Sequence, residues 1–229
     1  MNGKYCAVIP AFDAAKTIGE VVRRMKEQGI DVVVVDDGSR DTTAALASEQ
    51  GALVISHLRN QGKGVALRTG FEYVLRSHYD GIVTLDGDGQ HDPADALQLI
   101  HTGERQHAGI VVGNRLMNGA AMPPLRRLTN QVMSGIVSAI ARQAIPDSQC
   151  GFRFIRKEVL EQVPLRAKRF EIETELLCAA AIRRWKIVSV PVRAIYHTGH
   201  ASHIRPVRDA IRFFGVILQH LCRGSSHGV

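Results

Sequence analysis

Cysteine is scarce in this sequence: four residues in 229, Cys6, Cys150, Cys178 and Cys222, with no Cys-x-x-Cys pair among them. That scatter argues against a disulfide framework and against a zinc–cysteine site, and it fits a reducing compartment. Long apolar runs are missing as well. None reaches the roughly 18 residues that span a membrane, and the longest candidate, Val132 to Ile145, is broken by Ser134, Ser138, Arg142 and Gln143. The first residues lead straight into a strand pattern, without the charged and apolar stretches of a secretory leader. Internal repeats and low-complexity tracts are absent. The expectation is a cytoplasmic protein that touches the cytoplasmic face of a membrane at most peripherally.

What is present is an apolar fraction of 45% and a formal net charge of +7. The first supports one sizeable core, and the second favours acidic partners such as phosphorylated substrates or an anionic membrane surface. Apolar β-branched runs alternate with helical spacing. Strands are expected at Tyr5–Ile9, Val32–Val35, Ala52–Ser56, Gly81–Leu85 and Ile110–Gly113. Helices are expected at Thr17–Gln28, Thr42–Gln50, Gly64–Leu75 and Pro93–Thr102. Strand–helix alternation predicts an α/β fold with a mostly parallel sheet flanked by helices, and nearly unbroken apolar strands predict both faces covered. Past Gly113 the pattern changes. Helices are expected at Leu125–Gln143, Ile172–Arg184 and Arg205–Cys222, with a strand at Lys186–Val192 whose Pro191 points to a sheet edge. Asp147–Phe154 reads as a polar-aromatic segment. The chain is expected to be one domain over 1–223, with a donor half near 1–115, an acceptor half near 116–223 and a flexible tail at 224–229.

In such sheets ligands bind beyond the carboxyl ends of the strands. Two of those ends are acidic: Asp36-Asp37-Gly38-Ser39, and Asp86-Gly87-Asp88-Gly89-Gln90-His91. Clustered carboxylates repel and are costly to desolvate unless a cation joins them. Asp86 and Asp88 with the amide oxygen of Gln90 form an oxygen-only donor set that suits Mg2+ or Mn2+ rather than zinc. A solvated Asp-Gly turn is the plainer alternative for either cluster alone. Asn60-Gln61-Gly62-Lys63-Gly64 precedes a helix and is a candidate phosphate-facing loop. It lacks the GxxxxGK[ST] spacing, and the first strand ends in Pro10-Ala11-Phe12 rather than GxGxxG, which argues against a dinucleotide dehydrogenase. His197, His200 and His203 lie three apart in a loop, weak grounds for zinc.

These motifs, with Gly113-Asn114-Arg115, Gln149-Cys150-Gly151-Phe152-Arg153, Glu171-Ile172-Glu173-Thr174-Glu175 and Ser202-His203-Ile204-Arg205-Pro206, occur in order along nearly the whole chain. The ordered set resembles the family 2 glycosyltransferases of the GT-A fold, in the branch of dolichol- and polyprenyl-phosphate sugar transferases. The resemblance implies an inverting, metal-assisted transfer from a UDP- or GDP-linked sugar to a polyprenyl-phosphate or glycolipid acceptor. By the same resemblance, Pro10, Phe12, Val35 and Asp37 would line the nucleotide pocket, and Asp86 and Gly87 would contact the nucleotide-sugar. Asp88 and Gln90 would hold Mg2+ or Mn2+, Arg115 would meet the phosphates, and Arg126 or Arg127 would draw in an acceptor phosphate. The early motif departs from the family's Tyr-Asn-Glu: it reads Phe12-Asp13-Ala14, without the glutamate at position 14, so a nucleotide contact is either lost or moved to Asp13. Lys63 and Arg115 are expected to add positive charge at the leaving diphosphate. Arg153 and Arg193 are further candidates on the acceptor side. A hydroxyl acceptor would need a base from Asp147, Glu171, Glu173 or Glu175. A glycan hydroxyl acceptor, a nucleotidyltransferase and a non-catalytic nucleotide-sugar binder are the competing readings, and no nucleic-acid partner is expected. The last expected helix, with Phe213, Phe214, Ile217 and Leu221, suits either core packing or a membrane interface.

Overall fold

The computed structural model describes residues 3–117 and 122–195. Along them run β1 (Tyr5–Ala11), α1 (Ile18–Glu27), β2 (Asp31–Asp36), α2 (Thr43–Glu49), β3 (Leu53–Ser56), α3 (Lys63–Leu75) and β4 (Gly81–Thr84). A 3-10 turn (Pro93–Asp95) then leads into α4 (Ala96–Gln106), β5 (Ile110–Asn114), α5 (Pro124–Ala141), β6 (Arg153–Arg156), α6 (Lys157–Gln162), α7 (Ile172–Ile182) and β7 (Ile187–Pro191). The seven strands form one sheet in the order β3-β2-β1-β4-β6-β5-β7. All neighbours are parallel except β6, which runs antiparallel to both β4 and β5.

The expected strands and helices up to β5 are present, with no end shifted by more than four residues. The apolar face of α1 is Ile18, Val21, Val22 and Met25, all buried, while Glu20, Arg23 and Glu27 pair with one another at its surface. Val32–Val35 of β2 are buried on both sides, as strands covered by helices must be. Pro10 does not end β1. The β1–β4 ladder stops at Val8↔Thr84, so Pro10 sits where β1 has one neighbour, β2, and its missing N–H is tolerated. β7 is an edge strand, as Pro191 indicated.

Two elements were not expected. β6 lies at the end of the polar-aromatic segment, where Phe154 and Ile155 between two arginines are too short a pattern to declare a strand. α6 has only six residues. β6 enters the sheet between β4 and β5, so residues from both halves of the chain build the same central sheet. No helix of the described residues is long and apolar enough to cross a membrane. The expected helix at Arg205–Cys222, the three loop histidines and the tail at 224–229 lie outside the described residues.

The strand order reverses direction between β1 and β4: from β1 the chain winds outward through β2 and β3, then returns to β4 on the other side. That switch point opens a crevice at the carboxyl ends of the parallel strands. Pro10, Asp36, Asp37 and Asp86 all sit at that rim.

Candidate active site

Lys63 opens α3 and carries its ammonium into the rim. Its Nζ lies 2.6 Å from Asp86 Oδ1 and 2.8 Å from Glu173 Oε1. Asp86 follows β4, and Glu173 stands in the first turn of α7, so three separate elements meet at one charge. Gly151 forms the wall behind them. A Cβ there would fall 2.9 Å from Glu173 Oε1, 3.0 Å from Asp86 Oδ2 and 3.2 Å from Lys63 Nζ, so any side chain would push the trio apart. Burial works against the charge on Lys63, but the Asp86 and Glu173 carboxylates outweigh it and raise its pKa above the ordinary lysine range. Burial would likewise lift the Asp86 carboxyl; the Lys63 ammonium, with a smaller part from Arg115, holds it below the usual carboxylate range instead.

Asp88 and Gln90 follow on the same loop and are partly exposed. The Gln90 amide donates to Asp88 Oδ1, and Thr17 donates its hydroxyl to the Gly87 carbonyl, so the loop is tied to itself and to the start of α1. Ile195 closes it from the other side by donating its N–H to the Gln90 carbonyl. Asp86, Asp88 and Glu173 bring three carboxylates to the rim, with the Lys63 ammonium between Asp86 and Glu173. Among the described residues no group of three or more His, Cys, Asp or Glu closes a coordination sphere. Asp88, Gln90 and neighbouring Asp86 offer oxygen donors only, the kind that a hard dication such as Mg2+ takes alongside water and substrate oxygens.

His91, next in sequence, is 3% exposed and packs its ring 5.3 Å from that of Phe152. Burial pushes its pKa down to about 4, so it is a neutral ring at neutral pH. It reads as packing beneath the loop.

Arg115 is held from several sides by Asp147. Its backbone N–H, Nε and one terminal nitrogen all donate to that carboxylate at 2.8–3.0 Å, and Asn130 on α5 donates a further bond at 2.7 Å. Asp147 is fully buried. Burial alone would raise its carboxyl, but Arg115 and Asn130 hold it below the usual range.

Several expected contacts are placed differently by the fold. Arg153 is 1% exposed, and its guanidinium donates to the carbonyls of Cys150, Ser148 and Glu173. It props up the wall of the site from within and is not presented to an acceptor. Asp37 is also buried; its carboxylate accepts from the amides of Gln61 and Gly62 and contacts His57, so it anchors the loop that carries Lys63. The Val35 side chain is fully buried in the core. Gly64 and Val65 donate their N–H groups to the Lys168 carbonyl, so the amides expected to cradle a phosphate are already engaged within the protein. What faces the rim from that loop is the side chain of Lys63. Asp13, at φ +48, accepts from the Arg40 amide and braces the turn after β2. Phe12 beside it is 39% exposed at the end of β1. Arg193 pairs with Asp92 and Asp95. Arg126 is half-buried and Arg127 exposed in the first turn of α5, and no ion pair engages either among the described residues.

Of the four candidate bases, Asp147 is committed to Arg115, and Glu175 accepts from the amides of Arg166 and Ala167. Glu171 accepts from the Arg169 amide. Glu173 alone meets Asp86 and Lys63. The periodicity of α7 hid this: Ile172 to Ala180 is buried all round, so nothing in its pattern marks one glutamate as facing the site.

The fold and this rim define the class. The chain belongs to glycosyl transferase family 2, whose model matches residues 6–164, and the protein is a glycosyltransferase. Its relatives lie in the branch that uses polyprenyl phosphates. A UDP-N-acetylglucosamine–dolichyl-phosphate N-acetylglucosaminyltransferase of Methanococcus voltae is 31% identical over 212 residues, covering 82% of this chain and 84% of that one. A polyprenol monophosphomannose synthase of Mycolicibacterium smegmatis is 30% identical over 202 residues, covering 81% and 75%. Glucosyl-3-phosphoglycerate synthase of Mycobacterium tuberculosis, crystallised with Mg2+ and UDP, superposes with a TM-score of 0.75 at 20% identity over 96% of this chain and 79% of that one. That likeness carries the fold, which is GT-A.

Proposed function

We propose that this glycosyltransferase moves a sugar, with inversion, from a UDP- or GDP-linked donor to a polyprenyl phosphate or related lipid at the cytoplasmic face of a membrane, assisted by Mg2+ or Mn2+. The observation that carries the reading is the convergence of Lys63, Asp86 and Glu173 at the switch point, beside the partly exposed Asp88 and Gln90. The names of the archaeal and mycobacterial relatives support the acceptor class, and the Mg2+ and UDP of the mycobacterial structure support the donor and the cation.

Transfer builds negative charge on the leaving diphosphate while the sugar becomes oxocarbenium-like. Asp88 and Gln90, with Asp86 beside them, would hold a divalent cation, which would supply charge neutralisation to that leaving group. Lys63 adds a fixed positive charge at the same rim, already desolvated and already oriented, so little reorganisation accompanies the reaction. Arg115, locked by Asp147, contributes a second. Asp86 carries the ionised carboxylate nearest Lys63 and is positioned to orient the donor sugar. Phe12 offers an exposed ring at the end of β1 for the base, next to Pro10 and Asp13.

A phosphate acceptor is already anionic at neutral pH, because its second pKa is about 6. It needs cations to bring it up to a diphosphate more than it needs a base. Arg126 and Arg127 stand at the N-terminus of α5, where the helix dipole favours an anion as well. A hydroxyl acceptor would call on Glu173, the carboxylate of the four that meets the site.

The test is a donor screen with UDP- and GDP-sugars, each with Mg2+ or Mn2+ and a short-chain polyprenyl phosphate. One donor should give a lipid-linked product, and Asp88→Ala should abolish turnover while its thermal melt stays unchanged. Full activity of Asp88→Ala without metal would remove the cation from the mechanism. Transfer to free sugars in place of the lipid phosphate would move the acceptor class.

A further inference from the structure

The loop that carries Asp88 and Gln90 is closed from outside by the short segment that follows β7, and each residue of that segment is tied to a different part of the rim. Val192 donates its N–H to the Asn114 carbonyl, next to Arg115. Arg193 donates its N–H to Asp95 Oδ2 at 2.7 Å. Ala194 pairs with His91 in an antiparallel bridge. Ile195 donates its N–H to the Gln90 carbonyl at 2.9 Å. Gln90 is thereby held at both of its peptide groups, because its own N–H goes to Asp88 Oδ1 at 3.0 Å.

The ties of Val192 and Ile195 are single backbone bonds. Arg193 adds its side chain. Its Nε and Nη2 reach Asp95 Oδ1 at 3.2 and 2.9 Å, and its Nη1 reaches Asp92 Oδ2 at 3.0 Å. Both carboxylate side chains are only 10% exposed, and they belong to the 3-10 turn and its cap, just past the loop. Asp92 has other partners, since its Oδ1 accepts from the Ala94 amide and from Arg24 on α1. Among the described residues, every bond that the Asp95 carboxylate accepts comes from Arg193. The pair is a pin across 98 positions of sequence, joining the exit of the last strand to the turn that ends the Asp88 loop.

The Arg193 side chain is 57% exposed, and ion pairs with so exposed a partner contribute little to the stability of a whole fold. What the planar, forked guanidinium supplies is geometry: it meets two carboxylates at once and fixes the backbone that carries it. The segment needs that help. One backbone hydrogen bond is comparable in size to the entropy lost in ordering the residue that makes it, so the bonds of Ala194 and Ile195 alone hold the segment only weakly.

We infer that Arg193 is a positioning residue for the cation site: pinned to Asp95 and Asp92, it holds Ala194 and Ile195 against the loop and so keeps Asp88 and Gln90 in the arrangement that takes up a divalent cation. Arg193 acts through the backbone and touches neither substrate nor cation. The same ties withdraw it from the acceptor side, where its charge alone suggested a place. This role rests on the cation site proposed above.

The test reads Mn2+ uptake by the full chain, from the electron paramagnetic resonance of the free ion, with UDP and with GDP and without sugar donor or acceptor. Arg193→Ala should weaken that uptake about tenfold, the lower end of the range for a residue that orients metal ligands. Nucleotide binding in EDTA should stay at the parent's value. Arg193→Lys keeps the charge without the fork and should recover part of the loss. Asp95→Ala should match Arg193→Ala, and the double variant should be no worse than either, as two residues acting as one pair require. In turnover, the KM for Mn2+ should rise while kcat at saturating Mn2+ stays close to the parent's. Hydrogen exchange should quicken over residues 88–95 in Arg193→Ala and keep the parent's rate in β1 and β2. Equal Mn2+ uptake by parent and Arg193→Ala, where Asp88→Ala has lost it, overturns the inference and leaves the cation site standing. No nucleotide-dependent uptake by the parent, or parent-like uptake by Asp88→Ala, removes the cation site and the inference with it. Faster exchange throughout the sheet with a lowered melting temperature makes Arg193 a stability residue and also overturns the inference. Should Arg193→Ala not fold, Arg193→Lys and Asp95→Asn carry the same comparison.

Discussion

Lys63 shows how much one side chain carries here. It is the ammonium between Asp86 and Glu173, and without it two carboxylates would face each other across Gly151. One of them would then have to take up a proton, because like charges at that range are not both held ionised. Lys63→Met should lower kcat by about 10²–10³-fold, the range expected when a preorganised charge is removed from a developing anion. Steady-state kinetics at saturating donor would check it, and a loss below tenfold would make Lys63 a structural residue. Asp147 makes the complementary case, a charge whose duty is to hold another residue. Its folded pKa is depressed, so its stabilisation is present above about pH 4 and is lost as pH falls through the folded value. Asp147→Asn should cost about 3 kcal/mol at pH 7, since it removes the buried carboxylate that accepts three bonds from Arg115. Urea melts at pH 7 and pH 3 should show the parent losing more stability on acidification than the variant; parallel losses would remove the ion pair from the account.

At the scale of elements, the beginning of α3 is the joint on which the site turns. Gly64 approaches the 167–169 segment so closely that a Cβ would lie 2.6 Å from the Ala167 carbonyl oxygen. Its own N–H donates to the Lys168 carbonyl, and Asp37 grips the amides of Gln61 and Gly62. Backbone has little room to give on either side. Gly64→Ala should therefore destabilise the fold by about 1–3 kcal/mol through overpacking. It should also reduce turnover beyond the loss of folded protein, because Lys63 is the adjacent residue. Thermal melts paired with activity per folded molecule separate the two effects, and a variant as stable as the parent would show that the contact relaxes freely. The glycines of the loop suggest a phosphate-facing loop. It is a clamp that aims a lysine, and the difference lies in partners more than 100 residues away in sequence.

At the scale of the whole molecule, the proposed function would have a donor crevice, built from the ends of β1, β2 and β4, meet at one rim an acceptor approach formed by α5 and the segment after β5. Arg127 belongs to the second group, so Arg127→Ala should raise the acceptor KM more than the donor KM, by about three- to thirtyfold if it makes one charge-assisted bond to phosphate. Initial rates with each substrate varied in turn would show it. A rise confined to the donor would place the acceptor elsewhere on the surface.

The sequence by itself determined the α/β class, the order of the first nine elements and the acidic strand ends that mark the rim. All of these depend on local patterns, apolar periodicity and short motifs, that survive in one dimension. Only the tertiary structure decided that Glu173 rather than Asp147, Glu171 or Glu175 reaches the site. It also placed Arg153 within the wall and β6 between β4 and β5. Those outcomes turn on which side chain faces which across elements distant in sequence, and a helix buried all round or a four-residue strand leaves no periodic trace of its orientation.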